Sequence, residues 1–377
     1  MDAKKYATLA SVVDETLAGR TDNARTLLSD LVETQLTGAG SEDLQYYIFA
    51  SALSKRLASD KAAEINLYLR QFETTQISLF NLLAQHLPTV QLAGPLANEV
   101  LAGFVGGEDE VTLLDVGIGS GRQEVALLYL LATQRRLPRK LNIIAIEPDA
   151  GSLLEAGESL AEAAMTLGVE LEFHPVHKIV EELDDADWRF FASFGTPMVV
   201  LGAFAVHHVR SSGGLNARDA LFRRLRALEP DAVVLCEPSS NHNSPSLRER
   251  FAAAWHHFGL TFGIIDGLDI GGAEKSAMKM FFAREIEDIV ANAEETRYER
   301  HEPVDVWVQR LRDAGFAPCT DFSMIGTPVS GPVRVAARDG YLGLDYGDET
   351  LVAIVCATSG VPASAGRISP MLLEQVA

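Results

Sequence analysis

Cysteines and long apolar runs are scarce in this sequence. Its 377 residues include three cysteines, Cys236, Cys319 and Cys356, and none of them stands in a C-x-x-C spacing. Three thiols cannot build a disulfide framework, so we expect them to be reduced. No apolar run is long enough to span a bilayer, and residues 1–19 have no apolar signal-peptide core. These absences predict a cytoplasmic protein with no membrane partner.

Basic residues are also few. The chain has 32 Lys and Arg against 52 Asp and Glu, which gives a net charge of −20. Nucleic-acid binding needs clustered Lys and Arg that displace counterions from the phosphates, so we expect no nucleic-acid partner. The length predicts one large core with a smaller subdomain, and a homodimer stays open.

The hydrophobic pattern changes once along the chain. As far as about residue 88, apolar residues recur at helical spacing, and a long helical pattern covers 61–85. From Val111 onward, short apolar runs alternate with helical segments, which indicates a mostly parallel sheet. The runs Tyr341–Asp345 and Thr350–Ala357 flank a turn and predict an antiparallel C-terminal hairpin. We therefore predict a helical cap over 1–88 and an α/β core over 89–377, in the layout of class I methyltransferases.

A glycine-rich turn follows the first predicted strand. It reads D-x-G-x-G-x-G, with Asp115, Gly117, Gly119 and Gly121 as the fixed positions. A dinucleotide-binding turn would carry G-x-G-x-x-G, but Arg122 stands at its third glycine, which disfavours an NAD-dependent dehydrogenase. The observed spacing is typical of S-adenosylmethionine enzymes. Glycines let the backbone approach the ligand closely, and Asp115 suits its cationic methionine end.

Glu147 ends the second predicted strand, at the same edge of the sheet as the glycine turn. A carboxylate there can accept hydrogen bonds from both ribose hydroxyls. The turn and Glu147 together predict S-adenosylmethionine as the cofactor, bound by Asp115, Gly117, Gly119, Gly121 and Glu147.

Several further stretches resemble the GRAS family, known from plant regulatory proteins and their bacterial relatives. They extend from about Leu27 onward and include Ala283-Arg284-Glu285-Ile286-Glu287-Asp288-Ile289-Val290, Glu299-Arg300-His301-Glu302, Trp307 to Phe316, Ala203 to His208, and Leu228 to Glu237. The resemblance implies a Rossmann-like methyltransferase core under a helical cap that part of 270–300 joins. Because all three motif glycines are present, the chain looks like a bacterial-type member, which implies a small-molecule methyltransferase. The alternative is a non-catalytic regulator that binds S-adenosylmethionine or another metabolite and uses the cap to contact proteins.

Polar residues after the fourth and fifth predicted strands would face the cofactor. His207, His208 and Glu237 are the candidates for a general base in methyl transfer, although the His pair can instead start a helix and Glu237 can be a salt-bridge partner. Asn241 and Asn243, with Asn98 from a segment that also resembles the family, are the predicted substrate-binding residues.

The remaining histidines predict no metal site. His301 and Glu302 suit the start of the helix that bears Trp307, and His256-His257 suit helix packing. The sequence has no H-x-x-x-H or H-E-x-x-H spacing.

Overall fold

The computed structural model describes residues 2–36, 41–58, 76–195, 197–210, 216–326 and 331–360. The helices in these ranges are α1 (Ala3–Leu17), α2 (Thr21–Asp30), α3 (Ser41–Leu57), α4 (Gln76–His86), α5 (Pro88–Gln91), α6 (Ala93–Val105), α7 (Arg122–Thr133), α8 (Ala150–Leu167), α9 (Asp185–Ala192), α10 (Ala217–Ala227), α11 (Leu247–Gly267), α12 (Gly272–Ala291) and α13 (Val304–Asp313). The strands are β1 (Glu110–Val116), β2 (Lys140–Ile146), β3 (Glu170–Val176), β4 (Met198–Ala203), β5 (Ala232–Pro238), β6 (Ala317–Pro318), β7 (Arg334–Arg338), β8 (Tyr341–Tyr346) and β9 (Glu349–Thr358). Of the long helix predicted over 61–85, residues 61–75 lie outside the described residues.

The strands form a mixed sheet with the order β3-β2-β1-β4-β5-β9-β8-β7. The first five strands are parallel, whereas β9, β8 and β7 are antiparallel, and β6 pairs with β9. The predicted mostly parallel sheet and antiparallel C-terminal hairpin are confirmed. The sequence did not predict β6 and β7, because a two-residue strand and an edge strand with two arginines carry little apolar signal.

Helices cover both faces of the sheet. Neighbouring residues of a strand point to opposite faces, so Leu113 packs into one apolar core and Leu114 into another. The core around Leu114 includes Trp307 of α13 and Phe222 of α10. Burial on both faces explains why the central strands are apolar throughout.

The other core continues into a helical layer, which we define as α1, α2, α3, α4, α11 and α12. Tyr6, Tyr46 and Phe49 surround Trp255 of α11, and α12 packs against both α3 and α4. The predicted boundary at residue 88 stays a prediction. Among the described helices, we find none with an apolar stretch sufficient to cross a membrane.

Candidate functional site

The glycine turn joins β1 to α7. The environment of the Cβ position differs among its three glycines. All three have positive φ angles, of 87°, 55° and 72° for Gly117, Gly119 and Gly121. A Cβ on Gly117 would lie 2.4 Å from Cβ of Ala205, and one on Gly121 would lie 3.0 Å from the backbone of Ala156. A Cβ on Gly119 would meet nothing within 4 Å. Gly119 is therefore the glycine whose backbone faces open space.

Buried polar atoms lie beside this turn. Asp115 is 2% exposed at the end of β1, and Glu124 is 3% exposed in the first turn of α7. Burial, and then the charge of Glu124, raise the pKa of Asp115 well above its ordinary value. Among the described residues, Asn98 Oδ1 and Gln123 Nε2 have no hydrogen-bond partner, and Asp115 Oδ2 and Glu124 Oε2 have none except a proton that the two carboxyls share. Such buried atoms are costly unless a ligand or water satisfies them.

Glu147 follows β2 and contacts the glycine turn directly. Its Oε2 accepts a hydrogen bond from the Gly119 N–H at 3.1 Å, and its Oε1 accepts one from the Asp149 N–H at 3.0 Å. Burial raises the pKa of Glu147, although both backbone donors oppose that effect. An ionised carboxylate has about four acceptor sites, so capacity for further hydrogen bonds remains.

These groups line a cavity of about 460 Å³. The glycine turn and Glu147 form one wall, Phe80 and Ala84 of α4 contribute to another, and His208 and Tyr298 line it on the side of β4. The volume lies within the usual range for small-molecule sites. Of the predicted cofactor residues, the cavity contacts Asp115, Gly117, Gly119 and Glu147, whereas Gly121 supports the turn from behind.

Only one of the three predicted catalytic residues lines the cavity. His208 lines the cavity, but His207 and Glu237 are 3% and 0% exposed. The Glu237 carboxylate accepts hydrogen bonds from the Val206 N–H at 2.8 Å and the Ala205 N–H at 3.3 Å, and its Oε2 lies 2.5 Å from Nδ1 of His207. Of the two alternatives for Glu237, the geometry selects the salt-bridge partner. The His pair forms a 3-10 turn, Val206–His208.

His207, His208 and Glu237 belong to a larger group that we call the histidine–carboxylate cluster, completed by Glu299 and His301. Nε2 of His207 and Nε2 of His301 each lie 3.3 Å from Glu299 Oε2, and Nε2 of His208 lies 3.2 Å from Glu299 Oε1. Glu299 and His301 are each 1% exposed. The cluster joins the turn after β4 to the segment between α12 and α13.

The charges of this cluster are strongly coupled. Burial alone would lower the pKa of His207, but the charges of Glu237 and Glu299 outweigh it and raise that pKa to about 10. Burial and the charge of His207 lower the pKa of His208, and the same causes lower that of His301 to about 3. Burial would raise the pKa of Glu299, yet the three histidines hold it well below the ordinary value.

The predicted substrate-binding asparagines are not brought together. Asn98 lines the cavity and donates a hydrogen bond to the Gln123 carbonyl at 2.9 Å. Asn241 is exposed and Asn243 half-buried, and neither lines the cavity. The Asn243 amide instead donates to Glu302 Oε1 at 2.7 Å. Only Asn98 is therefore positioned to touch a ligand in this cavity.

Sequence reasoning missed Glu124 and Glu299, and it misplaced His301 and Glu302. Helix α13 begins at Val304, so His301 and Glu302 precede it. Glu302 is 4% exposed and pairs with Arg310 Nη2 at 2.7 Å, while His301 is buried in the cluster.

An acid in the first turn of a helix is ordinarily explained by the helix dipole, which is why Glu124 gave no distinct signal in the sequence. The two helical histidines differ: His256 is exposed, and His257 is 7% exposed.

The structure is that of an α/β protein with a cavity at the carboxyl edge of its parallel strands. A model of the GRAS domain family matches residues 6–341. This chain therefore belongs to the GRAS domain family, as the sequence motifs predicted.

Plant proteins are among the known proteins similar to this chain. It is 29% identical over 294 residues to chitin-inducible gibberellin-responsive protein 2 of Oryza sativa subsp. japonica, which covers 73% of this chain and 54% of that protein. It is 28% identical over 298 residues to Scarecrow-like transcription factor PAT1 of Arabidopsis thaliana, with 74% and 60% covered. The chain thus spans little more than half the length of these relatives. The crystal structure of SCL7 from Oryza sativa shares the fold, with a TM-score of 0.72, 22% identity, and 94% of this chain and 100% of that chain covered.

These relatives correct the predicted function. One is named a transcription factor and the other a gibberellin-responsive protein, and neither name describes an enzyme. The prediction of a small-molecule methyltransferase is therefore wrong, and the alternative of a non-catalytic regulator is better supported. The predicted small-molecule substrate is wrong for the same reason, because these relatives are named as regulators and not as enzymes.

Proposed function

We propose that this chain is a non-catalytic regulatory protein that binds S-adenosylmethionine, or a metabolite of the same shape, in the cavity beside Gly119. The observation that carries the proposal is the set of unpaired buried polar atoms around this cavity, beside a carboxylate held by the glycine turn. The cavity also lies where the strand order reverses between β1 and β4, the ordinary ligand position in a Rossmann-like sheet. We therefore infer a methyltransferase-type Rossmann core that binds the ligand but does not catalyse methyl transfer.

The residues fit the parts of this ligand. The Asp115 carboxyl suits the cationic methionine end, because the positive charge of the ligand would offset the cost of ionising a buried carboxyl. Glu147 has spare acceptor sites for the ribose hydroxyls. Ile179 and Val180 give the cavity an apolar side that suits the adenine ring.

A binding role agrees with the placement of the predicted catalytic residues. His207 and Glu237 are paired with each other below the cavity wall, and His208 is held by Glu299. Their predicted catalytic role stays a prediction, and the function proposed here does not need it.

We assign the contact with a protein partner to the helical layer. Its exposed apolar side chains include Tyr47 of α3 and Met280 of α12, which are 55% and 48% exposed. Helix α4 belongs to this layer and also lines the cavity, so ligand occupancy and the partner surface share an element. With a net charge of −20, contact with DNA would pass through a DNA-bound protein. The cytoplasmic location and the bacterial type stay predictions.

Isothermal titration of the purified chain with S-adenosylmethionine and with its demethylated product tests this function, alongside an assay for product released from the methyl donor. We expect binding to one site without turnover. The variant G119A adds a methyl group on the cavity side and should weaken binding at least tenfold. The matched control is G168A, because Gly168 also has a positive φ, of 73°, and open space at its Cβ position, but lies before β3 at the opposite edge of the sheet.

Two results would refute the proposal. Equal affinities of G119A and G168A for the ligand would show that it does not bind at the glycine turn. Absence of any heat or thermal shift with either compound would show that the chain does not bind S-adenosylmethionine or its product.

A further inference from the structure

Outside the ligand cavity, the histidine–carboxylate cluster holds three potential metal ligands in one buried place. His207, Glu299 and His301 each offer one ligand atom, and these three atoms all lie within 4.8 Å of one another. All three side chains are at most 4% exposed. We propose that these residues bind a zinc ion, against the sequence prediction of no metal.

The spacing of these atoms suits zinc. In a tetrahedral site, ligand atoms are separated by about 1.63 times the metal–ligand distance, which is about 3.3 Å for zinc bound by imidazole nitrogen or carboxylate oxygen. Glu299 Oε2 lies 3.3 Å from Nε2 of His207 and 3.3 Å from Nε2 of His301. Two imidazoles and a carboxylate are also a donor set that zinc accepts.

One of these atoms lacks a satisfactory partner. Glu299 Oε2 is buried and, among the described residues, accepts no hydrogen bond of acceptable geometry, although two ring nitrogens lie near it. Buried acceptors of this kind are rare in native proteins and point to an unplaced ion or water. A metal between the three atoms would satisfy the oxygen and both nitrogens together.

The groups around the three ligands orient them as in known metal sites. Glu237 Oε2 lies 2.5 Å from Nδ1 of His207, an arrangement that places the proton on Nδ1 and leaves Nε2 for the metal. His242 Nδ1 lies 2.8 Å from Nδ1 of His301, and Ser240 Oγ lies 2.9 Å from Nε2 of His242. The charges of Glu237 and Glu299 together balance one divalent cation.

The fourth position has space for water. His207 and His301 line a small cavity of about 40 Å³, together with Glu285 and the rings of Phe281 and Phe282. A cavity of that size holds a water molecule. The ion would then join the turn after β4 to the segment before α13, directly behind the His208 side of the ligand cavity.

Metal uptake by the whole chain tests the site. The protein is stripped with a chelator, dialysed against Zn²⁺, freed of loose metal, and analysed by inductively coupled plasma mass spectrometry. We expect one equivalent of zinc. The variant H301Q should bind it at least 100-fold more weakly, and E237Q, which changes the group that orients His207, should lose 10- to 100-fold. The control is H256Q, because His256 is exposed on α11, and it should bind as the unsubstituted chain does.

A second measurement decides the case even if H301Q fails to fold. The unsubstituted chain loaded with Co²⁺ should show the intense visible bands of tetrahedral nitrogen and oxygen coordination. A sulfur-to-cobalt charge-transfer band would overturn the proposal, because it would place the metal on Cys319 and Cys356, whose sulfurs are 2.8 Å apart. Uptake well below one equivalent, or equal losses in H301Q and H256Q, would overturn it as well.

Discussion

Arg297 holds together the segment that carries Glu299 and His301. Its side chain is fully buried, and Nη1 donates to the His242 carbonyl at 2.6 Å. Nη2 donates to the carbonyls of Asn243 and Ser244 at 3.2 and 3.3 Å, and it also contacts the Glu294 carboxylate at 2.8 Å. One guanidinium group therefore ties the segment before α13 to the loop between β5 and α11.

The substitution R297M tests this role. Methionine replaces much of the volume but none of the donors, so four backbone carbonyls, among them that of Glu299, and one carboxylate lose their cation. Hydrogen bonds from a charged donor contribute about 1.5–3 kcal/mol each, and loss of one partner of a buried ion pair costs about 3–5 kcal/mol. The ion pair with Glu294 contributes less than a fully buried pair, because Glu294 is 40% exposed. We therefore expect a total loss in the free energy of unfolding of about 3–5 kcal/mol. The melting temperature should fall by roughly 4–6 °C for a chain of this length.

Urea unfolding followed by circular dichroism measures this loss. The matched control is R248M, because Arg248 is 61% exposed and its partner Asp14 is 43% exposed, so its change should stay below about 1 kcal/mol. R297K keeps the charge but not the forked geometry, and it should recover only part of the loss. If R297M and R248M unfold at the same urea concentration, the reasoning about the buried guanidinium is refuted.

Two further predictions concern the proposed ligand. E147A should weaken S-adenosylmethionine binding by about 1–3 kcal/mol in calorimetry, because it removes acceptors beside Gly119. The control is E158A, because Glu158 is exposed. Equal affinities of the two variants would show that Glu147 does not contact the ligand. Burial, and then Glu124, raise the pKa of Asp115, so its carboxyl keeps a proton at pH values where an exposed aspartate has lost it. A cationic ligand favours the ionised form, so affinity should increase as pH rises through this pKa, with proton release on binding, and level off above it. Calorimetry in buffers of different ionisation heat measures the release, and D115N should abolish it; a pH-independent affinity in the unsubstituted chain would contradict the assignment.

The glycine turn shows why the sequence predicts the geometry of a turn better than a function. Positive φ angles and close backbone approach are demands of the turn geometry, and only glycine meets them at Gly117 and Gly121. Such a turn favours a ligand in an α/β sheet, but it does not decide whether the ligand reacts. Function depends on side chains that several elements bring together. The prediction of a methyltransferase inferred a reaction from the turn, Glu147 and the resemblance to bacterial-type family members, and the regulatory relatives corrected it.

The sequence by itself determined the sheet and its order of elements. Strands buried on both faces need continuous apolar runs, and the spacing of those runs predicts β1 to β5, β8 and β9 with small errors at the ends. The glycine turn and Glu147 were also readable, because each follows a strand directly and the carboxyl ends of parallel strands meet at one edge. Features that depend on residues close together in the chain could therefore be predicted from the sequence pattern.

Only the tertiary structure decided which polar groups meet. His207 follows β4, whereas Glu299 and His301 lie more than 90 residues later, so no spacing in the sequence joins them. The packing of the segment before α13 against the turn after β4 creates the histidine–carboxylate cluster and directs His207 away from the cavity. The same packing leaves Asn241 and Asn243 outside the cavity. Contacts between distant segments depend on how whole helices and strands bury their apolar faces. A short sequence motif does not predict that packing.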